Sequence, residues 1–159
     1  MVLSKIGRPA EILLVEDNEA DFFLAREAFH QINLAVNLHH VDQGQKCLAF
    51  LRKEDGYSSK PTPDLILLDI NMPGMSGHEV LANLVADPAL CHLPVVVMTT
   101  STHEADVARM YSLRCNAYIP KPTDFDQMVK AFQRINDFWF DTVILPHSHF
   151  IATPLFAAR

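Results

Sequence analysis

Residues 65–77 read LILLDINMPGMSG. The first four are an unbroken aliphatic run, the composition of a strand buried on both faces. The spacing predicts a strand over residues 65–70 with Asp69 at its carboxyl end. Pro73, Gly74 and Gly77 then punctuate a tight loop, where glycine admits positive φ, before a helical period takes over across 77–86. A buried strand that ends in an acid and turns directly into a helix is the joint from which α/β domains are built.

The same joint recurs on both sides. Upstream, Ile12 to Val15 is a second aliphatic run, closed by Glu16-Asp17-Asn18. Phe22, Phe23, Ala25, Ala28, Phe29 and Ile32 then follow at helical spacing across 19–32, with Asn18 as candidate N-cap. Residues 35–41 alternate like a strand, 45–51 return to the helical period, and 55–63 are rich in turn formers. Downstream, the strand 94–98 runs into Thr99-Thr100-Ser101, and a helix is predicted over 103–113. A short strand at 117–119 is stopped by Pro120-Lys121-Pro122, and Thr123 is placed to cap a last helix from 124 to about 140. Five such strands, too apolar to face water on either side, alternate with five helices and predict one parallel sheet covered on both faces. Ligands of such sheets bind at the carboxyl ends of the strands, near the point where strand order reverses.

Composition narrows the function classes. The 159 residues are the length of one domain, and apolar residues at 49% suffice for a core. Thirteen basic residues against 19 acidic, with no cluster of four Lys or Arg, exclude nucleic acid and anionic membrane as expected partners. No apolar run reaches the roughly 18 residues of a bilayer span, and the N-terminus has no secretory pattern. Cys47, Cys91 and Cys115 have no ligand-like spacing, which fits a reduced, cytoplasmic setting. His39 and His40 are adjacent in a strand and point to opposite faces, and His147 and His149 have no third ligand nearby, so no histidine metal site is expected.

The polar residues at the strand ends form one constellation. Glu16, Asp17 and Asp69 would converge in a single crevice, where three carboxylates repel and raise one another's pKa. A hard divalent cation relieves that conflict, and Mg²⁺ suits a few carboxylates plus retained water. Lys121 adds a positive charge, so three acids, the cation and the lysine balance until a phosphoryl group arrives. With Thr99 as a hydroxyl at the fourth strand end, this is the equipment for phosphoryl transfer to an aspartate. Asp21, one helical turn beyond Asp17, is within reach of the acidic pocket, and a solvated or helix-dipole role is the favoured reading.

LLVEDN, DLILLDINMPGMSG, VVVMTTS and AYIPKP stand in one order, with Thr99 following Asp69 by 30 residues and Lys121 following Thr99 by 22. In this ordered set the chain resembles the receiver domains of two-component response regulators, over roughly residues 10 to 140. The resemblance implies a flavodoxin-like (βα)5 three-layer sandwich with a five-stranded parallel sheet. It makes Asp69 the phospho-acceptor and Glu16, Asp17, Asp69 and the main-chain carbonyl of Asn71 the Mg²⁺ ligands. Thr99 becomes the switch hydroxyl, Tyr118 the aromatic that moves with it, and Lys121 the phosphate-contacting lysine. A cis bond between Lys121 and Pro122 is implied as well. Glu16 stands where an aspartate is common and Thr100 where a small alanine is usual, and counting from Pro94 selects Thr99 over Thr100.

Residues 1–10 are read as an extension, 11–140 as the receiver unit and 141–159 as a C-terminal extension without an output domain. Phe125, Met128, Phe132, Ile135 and Trp139 form the stripe that docks the last helix. Phe138, Phe140, Val143, Ile144 and Leu145 are apolar beyond that stripe, and a two-fold homodimer through them is expected. The NDFWFDTVILP ending and the 55–63 insertion resemble the small response regulators that pair with cyanobacterial phytochromes, which implies a histidine kinase as phosphodonor. Two other readings compete. One is a pseudo-receiver scaffold, which the intact acidic set disfavours. The other is an aspartate-nucleophile phosphohydrolase, which would need a second acid where Asn71 stands. A nucleotide or flavin binder is disfavoured because neither GxGxxG nor a P-loop occurs.

Overall fold

The computed structural model describes residues 6–146, so His147, His149 and the rest of the tail lie outside the described residues. Its elements alternate as β1 (Ala10–Val15), α1 (Glu19–Gln31), β2 (Val36–Val41), α2 (Gly44–Arg52), β3 (Leu65–Leu68), α3 (Gly77–Ala86), β4 (Val95–Thr99), α4 (Glu104–Ser112), β5 (Ala117–Pro120) and α5 (Phe125–Ile135). The strands form one parallel sheet in the order β2-β1-β3-β4-β5. Strand order reverses between β1 and β3, and the crevice outside their carboxyl ends is where such a sheet receives a ligand.

Period-two alternation along the central strands builds two cores. Leu13, Val15, Ile66, Leu68, Val95 and Val97 pack beneath α2, α3 and α4. Ile12, Leu14, Leu65, Leu67, Val96 and Met98 pack beneath α1 and α5, whose Phe29 and Phe132 rings stack at 4.0 Å. The fold is therefore the expected three-layer (βα)5 sandwich. The two outermost strands depart from expectation. β2 and β5 are only half-buried along most of their length, because an edge strand has a neighbour on one side only. His39 and His40 do face opposite ways, His39 to Glu11 at 2.6 Å and His40 onto the Phe22 ring and the Glu16 carbonyl.

Local chemistry sets the joints. Asn18 caps α1 by accepting from the Asp21 N–H, and Ser76 and Glu79 form a reciprocal capping box on α3. β3 stops at Leu68, short of the expected residue 70, because the Ile70 carbonyl is taken by the Met72 and Gly77 N–H groups of the following turn. Gly74 has the positive φ expected of it, 75°, whereas Gly77 does not need one. What requires glycine at 77 is proximity: a Cβ there would lie 2.5 Å from the Asp69 carbonyl oxygen and 2.7 Å from Ile70 Cα. Gly77→Ala should therefore cost about 1–3 kcal/mol, read as a lower urea midpoint at unchanged m-value. An unchanged midpoint would show that the α3 start can slide away from β3.

The last helix differs most from expectation. Asp124, not Thr123, accepts the capping bond, because its carboxylate reaches the Gln127 N–H at 2.8 Å. The α-helix ends at Ile135 and continues as a π-helical segment, Asn136–Thr142. There the Val143 N–H reaches the Phe138 carbonyl, five residues back, so the side chains rotate out of the α-helical phase. Phe140 and Leu145 turn inward and join the α1–α5 core, with Val143 packed beside them. Phe140 and Leu145 thus cannot serve the dimer surface expected of them. Phe138, at 51% exposure, and Ile144, at 96%, remain outside. The expected cis bond before Pro122 is also corrected: among the described residues every peptide bond is trans.

Candidate functional site

The carboxyl ends of β1, β3, β4 and β5 bring their polar residues together as the strand pairing requires. The Asp69 N–H extends the ladder by donating to the Val15 carbonyl, and the Lys121 N–H donates to Thr99 at 2.7 Å. Parallel pairing so sets the four strand ends level with one another. Glu16 (4% exposed) and Asp69 (7%) are buried, while Asp17 faces solvent. One carboxylate oxygen from each of Glu16, Asp17 and Asp69 lies within 4.8 Å of the others. Three hard oxygen donors at that spacing, one of them open to water, fit a divalent cation that keeps part of its hydration shell.

Lys121 enters this cluster from β5. Its Nζ lies 2.5 Å from Glu16 Oε1, 2.9 Å from Asp21 Oδ2 and 3.4 Å from Asp69 Oδ2. Asp21 therefore belongs to the cluster, against the expectation of a solvated residue. The only sequence signal for it was its place one turn after Asp17. That spacing says nothing about which side of the turn faces β5. With Asp21 included, four acids face one lysine, and a divalent cation leaves the site with one net negative charge.

The titration of the cluster follows from its geometry. Burial raises the Glu16 carboxyl, Asp69 beside it pushes the same way, and together they outweigh the Lys121 bond to leave it at about 7. Burial alone would lower the Lys121 ammonium, but its bonds to Glu16 and Asp21 prevail and hold it above the ordinary lysine range.

Thr99 and Tyr118 flank the acids. Thr99 is fully buried, and its Oγ1 has no hydrogen-bond partner. An orphaned buried hydroxyl is unusual enough to require an account, and a group arriving at the strand end would satisfy it. Thr100 is exposed. The Tyr118 hydroxyl donates to the Ser101 carbonyl at 2.8 Å, which ties β5 to the segment after β4, and burial raises its phenol. The Ser101 hydroxyl in turn donates to Asp106 on α4 at 2.6 Å. Asn71 is exposed at the same strand end, its N–H 3.4 Å from Asp69 Oδ1.

Comparison with known proteins agrees with this geometry. The response regulator receiver domain model matches residues 12–133. The response regulator Rcp1 of Synechocystis sp. is 41% identical over 138 residues, 87% of this chain and 94% of that protein. The crystal structure of the phosphorylated cyanobacterial phytochrome response regulator RcpA superposes with a TM-score of 0.83 at 40% identity, covering 88% of this chain and all of that one. The Mn²⁺-bound form of Rcp1 superposes at 0.80 with 41% identity, covering 87% of this chain and all of that one. No helix among the described residues is long and apolar enough to cross a membrane.

Proposed function

The chain belongs to the response regulator receiver domain family, and from that premise we propose that it is a phosphorelay switch whose acceptor is Asp69. The observation that carries the reading is the cluster at the strand ends, where a buried carboxylate, two further acids and a lysine ammonium lie within a few ångströms. Asp69 is the nucleophile: one of its oxygens forms the bond to phosphorus while the bond from phosphorus to the donor breaks, and the donor leaves with the electron pair. Glu16, Asp17, Asp69 and the Asn71 carbonyl would hold Mg²⁺, which supplies charge neutralisation on the transferring oxygens. Lys121 offers its ammonium to the same oxygens, and Thr99 Oγ1 gains the partner it lacks. Drawing Thr99 inward frees space beside β5, and Tyr118 shifts with it, so that phosphorylation biases a two-state surface around β4, α4 and β5.

The phosphodonor in this reading is a histidine kinase, and the likeness to Rcp1 and RcpA points to a phytochrome. The chain turns over no substrate besides its own phosphoaspartate, since Asn71 occupies the position where an aspartate-nucleophile hydrolase needs a second acid. A cytoplasmic location is read from the scattered Cys47, Cys91 and Cys115, the absence of a nucleic-acid or membrane partner from the acidic balance, and residues 11–140 are taken as the receiver unit. Incorporation of one Mg²⁺-dependent phosphoryl group from acetyl phosphate, followed by intact mass with an EDTA control, is the test. A protein that binds Mg²⁺ and stays unmodified is a scaffold instead.

A homodimer through the outer side of the last helix completes the proposal. Phe138 and Ile144 are exposed, and a groove of about 290 Å³ lined by Ile119, Ala131, Ile135 and Trp139 adjoins Phe138. Wild type at tens of micromolar is expected to scatter light as two chains, and Phe138→Ser with Ile144→Ser as one. Equal masses for the two proteins would remove the dimer. Truncation after residue 140 is the poorer test, because it deletes Leu145 from the core.

A further inference from the structure

Asp21 has no part in the phosphoryl chemistry just described, yet its carboxylate holds the ammonium that this chemistry uses. The Lys121 Nζ is nearer to Asp21 Oδ2, at 2.9 Å, than to Asp69 Oδ2, at 3.4 Å. Neither end of that contact is free to drift. The Asp21 N–H is fastened to Asn18 Oδ1 at 2.9 Å, and Ala25, one turn on, is buried against the sheet, so the first turn of α1 is anchored at both ends. The Lys121 N–H is bound to the Thr99 carbonyl at 2.7 Å. With the main chain held at both ends, any change in the contact falls to the two side chains.

Resting on the reading of Asp69 as phosphoryl acceptor, we propose that Asp21 is a positioning residue that parks Lys121 away from Asp69 and so sets how readily the ammonium reaches a phosphoryl group there. An ammonium has three N–H donors, and three carboxylates take them. To contact a phosphoryl oxygen fully, Lys121 must give one of these up. Glu16 is buried and loses heavily if left unpaired, whereas the Asp21 side chain is one-third exposed and can be rehydrated. Asp21 is therefore the partner that yields, and its hold is reversible. Its charge acts in the same direction as its bond, since it makes the site net negative before a dianionic phosphoryl group enters. Asp21→Asn removes the charge, leaves at most a weaker bond to a neutral amide oxygen, and retains the size of the side chain.

The experiment follows phosphoryl uptake from acetyl phosphate at saturating Mg²⁺ by intact mass, for wild type, Asp21→Asn and Asp21→Glu, each with Lys121 present and as Lys121→Met. Side-chain ¹⁵Nζ spectra of Lys121 in the metal-free protein are recorded alongside. Asp21→Asn is expected to take up phosphate about three- to tenfold faster than wild type, Asp21→Glu at close to the wild-type rate, and Asp21→Asn to give a much smaller acceleration, that of the charge alone, once Lys121 is methionine. In the metal-free Asp21→Asn protein the Lys121 Nζ signal should move and exchange faster with water. Equal rates for wild type and Asp21→Asn would overturn the inference, and so would the same acceleration in the Lys121→Met background, which would mean that charge alone is at work. A wild type that takes up no phosphoryl group would overturn the Asp69 reading and the inference together, whereas the first two outcomes leave Asp69 in place.

Discussion

Asp69→Asn is expected to abolish phosphoryl uptake completely. The acceptor must present an anionic oxygen to phosphorus, and an amide oxygen of nearly the same size and position is too poor a nucleophile to replace it. The substitution is mild in every other respect. The Asp69 main chain keeps its bond to Val15, and the single amide oxygen of Asn can still accept from either the Asn71 N–H or Lys121, each of which is a long 3.4 Å contact in the wild type. Loss of activity therefore separates chemistry from folding. In the metal-free protein the variant should unfold at the same or higher urea concentration than wild type, because one of four crowded acids has been neutralised. Intact mass after acetyl phosphate treatment should show one added phosphoryl group in wild type with Mg²⁺, none with EDTA, and none in Asp69→Asn. A phosphoryl group retained by the variant would place the acceptor elsewhere.

The sheet was legible because each central strand is a short aliphatic run that ends in a polar residue, and period two together with burial on both faces leaves a single reading of Leu65 to Leu68 or Val95 to Met98. Glu16 and Asp69 were legible for the same reason, since each directly follows such a run, and Asp17 and Lys121 because they stand at the ends of the first and fifth strands, which parallel pairing brings level. Asp21 was not. Whether a residue in the first turn of a helix faces the strand ends or the solvent depends on how the helix is rotated about its axis, and the Asn18 cap and the burial of Ala25 and Phe29 decide that together. Phe140 and Leu145 escaped because the extrapolated stripe assumed 3.6 residues per turn, and the wider π-helical turn after Ile135 changes which side chains face inward. The half-exposed β2 misled in the opposite sense: edge or centre is a property of strand order, which no single segment encodes. At Gly77 the residue was noticed for the wrong cause, since contact with the Asp69 carbonyl rather than backbone φ excludes a side chain.

Glu16 should make the metal-free protein more stable in mild acid than at pH 8. Its carboxyl titrates at about 7 in the fold against an ordinary 4.5, so folding favours the protonated form. A group raised in this way contributes stability that is fully present below about 4.5 and is lost as pH rises through 7. Over that interval the carboxyl accounts for about 3 kcal/mol. Urea unfolding in EDTA should therefore give a lower midpoint at pH 8 than at pH 5. Glu16→Gln should flatten most of the slope, because Lys121 keeps its bonds to Asp21 and Asp69 while the titrating group is gone. A divalent cation reverses the trend. It binds the deprotonated carboxylates, so adding Mg²⁺ should raise the midpoint more at pH 8 than at pH 5. The two halves share one cause: the acids that repel one another without the cation are the donors that attract it. If wild type and Glu16→Gln show the same slope in EDTA, Glu16 enters the fold already ionised, and the raised carboxyl must be sought at another acid of the cluster.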